Sequence, residues 1–172
     1  MSKFVNTIDE LGDEAVAISI LTKSITEFND NTITSVGGFA FYQCPSLESL
    51  DLPNVLTVGS SAFNGSSSLK KADFLNLNHI SSYAFSKCSA LDTLILRSNT
   101  MCTLETHYGL DNTAIRNKNG YIYVPRALLS DDDETMDYRR ATNWSEFATQ
   151  FRALEDYTVD GTTTGELDST KI

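Results

Sequence analysis

Few residues in this 172-residue chain have the types and spacing that catalytic or ligand chemistry needs. The two histidines are His79 and His107, and the three cysteines are Cys44, Cys88 and Cys102. Cys102, Glu105 and His107 lie close in sequence, and a thiol beside an imidazole is the start of a nucleophile pair. No oxyanion or nucleophile-elbow motif accompanies them, so the pattern does not support catalysis. The acidic run Asp131-Asp-Asp-Glu134 lacks the alternating spacing and the glycine of a calcium loop, and reads as a solvated elbow. Asp160-Gly-Thr-Thr-Thr-Gly165 is followed by no lysine and no helical pattern, so it is not a phosphate loop. Asn64-Gly-Ser and Asn143-Trp-Ser match the glycosylation pattern, which has force only in a secreted chain. The sequence therefore points to a non-catalytic protein with no cofactor and no metal.

What must position these residues is a repeat. From Ile33 to Ser98 a 22-residue unit is written three times, marked by Ala40-Phe41, Ala62-Phe63 and Ala84-Phe85. Six residues after each Phe stands Leu47, Leu69 or Leu91, then Leu50, Ala72 or Leu94, then Leu52, Phe74 or Leu96. Ahead of each Ala-Phe stand Val36, Val58 and Ile80, preceded by Ile33, Val55 and Leu77. Seven apolar columns with no insertion, built on an L-x-x-L-x-L core at a period of about 20–29 residues, are the mark of a leucine-rich repeat. Each unit buries its apolar face only against its neighbours. The expected fold is an α/β solenoid with a parallel strand ladder.

The path expected in each unit is a short strand, a turn, a compact helical or 3₁₀ turn around Ala-Phe and another turn. Strands fall at about Glu48–Leu52, Lys70–Phe74 and Asp92–Leu96, alternating in and out. The Phe column should be the spine of the core, and Gly37 and Gly59 should permit the bend before it. Cys44, Ser66 and Cys88 share a column. Coils stack at about 4.8 Å, so Cys44 and Cys88 lie too far apart for the ~7 Å that a disulfide spans. Such unpaired thiols fit a reducing compartment.

Around the repeats, residues 1–32 read as an N-terminal cap, with a short helix from Asp9 through Leu11, Ala15 and Ile18 and then half a repeat. Residues 33–98 are the three full repeats. Residues 99–125 continue the pattern loosely, with Cys102 in the Val36 column, a loop about six residues longer, and a strand at Tyr121–Val124 that Pro125 ends. Residues 126–157 change period and are expected to form a C-terminal helical lid with Trp144 as its largest plug. Residues 158–172 are polar and without periodicity, and read as a flexible tail.

The formal net charge is −10, and residues 126–172 carry most of it. A nucleic-acid backbone or an anionic bilayer would be repelled. There is no run of about 18 apolar residues, so no membrane span is expected. The first ten residues have no apolar core and no small-residue cleavage site, so the reading expects no signal peptide and synthesis in a cytoplasm.

The informative surface is the outward side of the strands. Its positions are Glu27 and Asn29, then Ser49 and Asp51, Lys71 and Asp73, Thr93 and Ile95, and Tyr121 and Tyr123. Solenoids bind through such rows. Aromatic residues on an open face suit contact with a protein or a surface glycan. The competing surface is the irregular loop at Thr106–Thr113. The residues set no oligomeric state.

Written as Ile-Thr-Ser-Val-Gly-x-x-Ala-Phe-x-x-Cys-x-x-Leu-x-x-Leu-x-Leu-Pro from Ile33, the unit resembles the BspA-like class of bacterial leucine-rich repeats. That resemblance covers residues 33–98 closely and 24–125 loosely, and implies a surface protein that adheres to host proteins. The opening Phe4-Val-Asn-Thr-Ile-Asp-Glu-Leu-Gly-Asp-Glu-Ala15, the Tyr121–Leu128 segment, Ala141-Thr-Asn-Trp-Ser145 and the stretch from Leu154 to Leu167 look like small proteins of gut bacteria and their prophages. Those tend to be encoded beside phage structural genes. The resemblance implies a module made in a bacterial cytoplasm and carried on a virion. The alternatives are a bacterial cell-surface adhesin and a purely structural assembly protein.

Overall fold

In the computed structural model of the chain, residues 24–130 and 137–172 are described. The helix expected from Asp9, the acidic elbow at Asp131–Glu134 and Met136 lie outside them. The described residues wind into a parallel-strand solenoid with two ladders. The longer ladder joins β1 (Glu27–Asn29), β3 (Ser49–Asp51), β5 (Lys71–Phe74), β7 (Thr93–Leu96), β9 (Tyr121–Val124) and β10 (Phe151–Ala153), in that order. The shorter one joins β2 (Ser35–Val36), β4 (Thr57–Val58), β6 (His79–Ile80) and β8 (Thr103–Leu104). Every pairing in both ladders is parallel.

The register is the 22-residue spacing made physical. Leu50 pairs with Ala72, Ala72 with Leu94, and Leu94 with Ile122. These side chains are buried, as are all seven columns of all three repeats. The Phe column is a stack of rings. Phe63 lies 5.2 Å from Phe41 and 5.1 Å from Phe85, with planes within 10° and 8° of parallel. Phe28, which belongs to the Leu50 column, closes this end of the stack with its ring tilted 48° and 4.7 Å from Phe41.

The Ala-Phe segment is a chain of tight turns rather than a helix, and its hydrogen bonds alternate. Phe39, Phe41 and Gln43 donate their N–H groups to the next coil, at Ser60, Ala62 and Asn64. Ala40 and Tyr42 donate within their own coil, to Gly37 and Phe39. The following coil repeats this from Ser61 to Gly65. Left-handed backbone supports the turns at Phe39, Gln43, Ser61, Gly65, Tyr83 and Lys87. Gly37 and Gly59 are not left-handed, which corrects the expectation that they make the bend. Gly59 is needed for closeness instead, because a Cβ there would sit 2.6 Å from Gly38 N and 2.8 Å from Gly37 C.

The cysteine column explains its own serine. Ser66 Oγ donates to Phe41 O at 2.8 Å and accepts from Cys44 N at 3.2 Å, while Cys88 Sγ donates to Phe63 O at 3.0 Å. A small group with one hydrogen to give fits that place, whether oxygen or sulfur carries it. All three cysteines are buried, and none is in a disulfide. Burial pushes the Cys88 thiol up to about 12, and raises that of Cys102 as well.

Three expectations about the later residues are corrected. First, Ile80 pairs with Leu104, so Leu104 and not Cys102 continues the Val36 column; two inserted residues shift the register. Second, residues 126–157 are not only a helical lid. They include 3₁₀ turns at Arg126–Leu128 and Ser145–Gln150, and then β10, which extends the main ladder beside β9. Trp144 is buried as expected. Its Nε1 donates to Cys102 O at 2.7 Å, Tyr138 Oη accepts from Cys102 N at 2.6 Å, and Asn143 Nδ2 donates to Leu104 O and Glu105 O at 2.9 Å. Those side chains satisfy the open edge of β8. Third, residues 158–172 do not hang free of the solenoid. Thr158 and Leu167 form an antiparallel bridge, and the segment lies across the outer side of the main ladder.

Candidate functional site

The outer side of the main ladder divides into a covered half and an open half. On β5 and β7 the strand positions pointing away from the core are Lys71 and Asp73, and Thr93 and Ile95, as period 2 demands. Open space begins at the first of each pair. Asp51, Lys71, Asp73 and Thr93 line a groove of about 600 Å³. Thr164–Leu167, Ile172, Pro53, Leu75 and Arg97 also line it. Pro53, Leu75 and Arg97 are one repeat column, standing just after β3, β5 and β7.

Ile95 and Tyr123 are not on an open face, which corrects the expectation for both. Ile95 is 0% exposed and Tyr123 2%, because Leu154 packs on them, with Tyr157 and Leu167 at the margin. An outward-facing isoleucine and tyrosine on adjacent strands form an apolar patch, and the chain covers it itself. Burial, and then the neighbouring Tyr157, push the Tyr123 hydroxyl up to about 12, so it stays protonated. Tyr121 is 41% exposed, but its ring is taken by the Arg152 guanidinium, 4.1 Å from the centroid. Ser49 is half-buried on β3 between Glu27 and Lys71, and Glu27 and Asn29 are exposed on β1. The structure thus brings Asp51, Lys71, Asp73 and Thr93 together and withdraws Ile95 and Tyr123.

Arg97 is the residue that sequence reasoning missed. Its Nε and Nη2 reach Asp73 Oδ1 and Oδ2 at 2.7 and 2.9 Å, a two-pronged pair matching the planar carboxylate. Its Nη1 donates to the main-chain carbonyls of Thr163 and Gly165 at 2.7 and 2.9 Å. Both side chains of the pair are only 11% exposed, so neither charge is well hydrated and each needs the other. Lys71 Nζ adds a longer contact to Asp73, 3.6 Å. The one signal in the sequence was that an arginine occupies a column otherwise held by Pro53 and Leu75.

At the competing loop, His107–Leu110 forms a 3₁₀ turn. Tyr108 is exposed and its ring stacks on Tyr83 at 5.6 Å. His107 Nδ1 lies 3.3 Å from Glu146, which also pairs with Arg116. Arg116 holds the Glu146 carboxyl below the usual carboxylate range. The Cys102 thiol is buried and donates to Thr103 O at 3.6 Å, so among the described residues the structure does not join it to His107 as a nucleophile pair. Among the described residues no helix is long and apolar enough to cross a membrane.

Two parallel ladders, a stacked phenylalanine column and a 22-residue register define a leucine-rich repeat solenoid, a class that typically serves as a binding scaffold without catalysis. Within that class the BspA type leucine rich repeat region matches residues 2–115 in six copies. The chain belongs to this family. No curated protein and no solved structure matches it.

Proposed function

We propose that the chain is a non-catalytic binding module whose strand face seats a partner protein, and that it is carried on a phage or prophage virion, where it contacts a host surface or another virion protein. The observation behind this is the groove lined by Asp51, Lys71, Asp73 and Thr93. Successive coils hold these side chains about 4.8 Å apart, so a partner meets a row already ordered and loses little entropy in fixing it. Carboxylates and a lysine on adjacent strands set charge preference and association rate more than raw affinity. The chain's −10 charge disfavours a nucleic-acid partner. The bacterial-surface adhesin differs from this reading in location and the structural assembly protein in role, and neither differs in fold. A second surface is supported by a separate observation, the exposed Tyr83–Tyr108 pair beside the loop.

The test is capture with the full chain from host cell-envelope extract and from purified virions. The double substitution Asp51→Lys with Lys71→Glu should weaken capture by about tenfold or more, and Tyr108→Ala should leave it unchanged. If the first variant captures as well as the parent and Tyr108→Ala does not, the loop is the contact and the strand face is not. Capture from virions alone, with no binding to cells, would identify the assembly role.

A further inference from the structure

We propose that Asn119 is a site of spontaneous covalent modification. In the folded chain its side chain cyclises onto the Gly120 amide and becomes aspartate or isoaspartate, while the second Asn-Gly pair, Asn64-Gly65, is kept intact by the solenoid. The proposal does not depend on which surface meets a partner. Asn-Gly is the pair in which this chemistry meets least steric resistance, because glycine carries no Cβ beside the attacking nitrogen. The chain holds two such pairs. Residue type ranks them equally, and their hydrogen bonds separate them.

The step balances without an oxidant or a reductant. The Gly120 main-chain nitrogen gives up its proton and attacks Asn119 Cγ. The N–Cγ bond forms, the Cγ–Nδ2 bond breaks, and Nδ2 leaves with a proton as ammonia. Water then opens the cyclic imide. Opening at Cγ restores the ordinary backbone with aspartate. Opening at the main-chain carbonyl leaves the chain running through Cγ, as isoaspartate. Either product adds a negative charge to a chain already at −10. Isoaspartate also lengthens the main chain by a carbon between the anchors at Ala114 and Asp92, the second of which sets where β9 begins.

The attack needs a nitrogen free to lose its proton and a peptide unit free to turn toward the side chain. The Asn64–Gly65 unit has neither. Gly65 N donates to Ser86 O at 2.9 Å and Asn64 O accepts from Gln43 N at 2.9 Å, so the unit is tied to the coil on each side. The Asn119–Gly120 unit is tied to neither: among the described residues Gly120 N has no acceptor and Asn119 O no donor. Its neighbours are fixed, with Asn119 N on Ala114 O at 2.8 Å and Tyr121 N on Asp92 O at 2.7 Å, so the freedom is confined to this one unit. Asn119 is exposed, whereas Asn64 is half-buried. Packing also demands the glycine. A Cβ on Gly120 would sit 2.4 Å from Asp92 O, so no bulkier residue that would slow the attack fits there. The susceptibility comes with the close approach of the last coil.

The test holds the folded full chain in warm buffer at pH 8, samples it over days and maps its peptides by mass spectrometry. Labelling with isoaspartyl methyltransferase tells isoaspartate from aspartate. Opening a main-chain hydrogen bond first slows a step by up to about tenfold, and Asn64-Gly65 has two to open. Conversion at Asn119 should therefore run at least about tenfold faster than at Asn64. In urea, where neither unit is held, the two should convert at similar rates. Asn119→Gln should stop conversion at that position in the folded chain, since the larger ring closes far more slowly. Equal rates at Asn64 and Asn119 in the folded chain overturn the proposal, as does an Asn119 that converts in urea but not in the folded chain. A second measurement needs no variant and no ageing. By hydrogen exchange the Gly120 amide should exchange faster than those of Gly65 and Tyr121; a Gly120 amide as protected as that of Gly65 also overturns it.

Discussion

Replacing Phe63 by alanine tests the stacked ring column directly. Phe63 is fully buried, with a parallel ring 5.2 Å away on one side and 5.1 Å on the other. A phenylalanine buries roughly 150–200 Å², and at about 25 cal/mol per Å² that is about 4 kcal/mol. Each stacked pair adds about 0.5–1.5 kcal/mol beyond area. Alanine keeps its own share of burial, and some collapse into the void returns a little more. The turn ladder limits that collapse, because Phe63 donates to Ala84 O at 2.8 Å and Ala62 O accepts from Phe41 at 2.6 Å. The expected loss is therefore about 3–5 kcal/mol, in line with other emptied aromatic sites. Phe63→Leu restores most of the volume but neither stack, and should lose about 1–2 kcal/mol. Urea denaturation followed by circular dichroism gives both values from midpoints, with the slope checked for constancy. A loss under about 1 kcal/mol for alanine would refute the column as the spine of the core. Leucine costing as much as alanine would refute the division between burial and stacking.

Two further outcomes follow from close contacts and burial. Gly59→Ala should cost about 1–3 kcal/mol by urea denaturation, since its Cβ would meet rigid backbone at Gly37 and Gly38; a neutral result would mean the coils can part. Cys88, pushed up to about 12 by burial, should resist iodoacetamide at pH 8 in the native protein and react once unfolded; native labelling within minutes, or a Cys44–Cys88 crosslink by mass spectrometry, would contradict the buried free thiol.

The solenoid was legible because its information is local and repeated. Columns such as Val36, Val58 and Ile80 recur at a fixed interval, and a fixed interval is what parallel stacking requires. The later coils were less legible because β9 and β10 pair at intervals of 28 and 29 residues, set by loop length rather than by a repeat. The two-residue strands of the second ladder are too short to show alternation. The candidate site was half legible. Period 2 correctly turns Ile95 and Tyr123 away from the core, but what covers them is 59 and 31 residues further on, at Leu154. Residues 158–172 look structureless because their anchors are main-chain carbonyls, which carry no sequence signature. Arg97 reaches them across 66 and 68 residues, and no pattern within one repeat encodes that contact.

The side chains at the edge of β8 have a consequence for how long such a molecule can become. A parallel ladder has no natural end: its last strand offers the same row of donors and acceptors that it just accepted, and a second chain can add itself there. Here Asn143 fills the carbonyls of Leu104 and Glu105, and Tyr138 and Trp144 take up the amide and carbonyl of Cys102. The template is spent on side chains that cannot themselves be templated. A further chain adding head to tail would find this end of the shorter ladder already occupied.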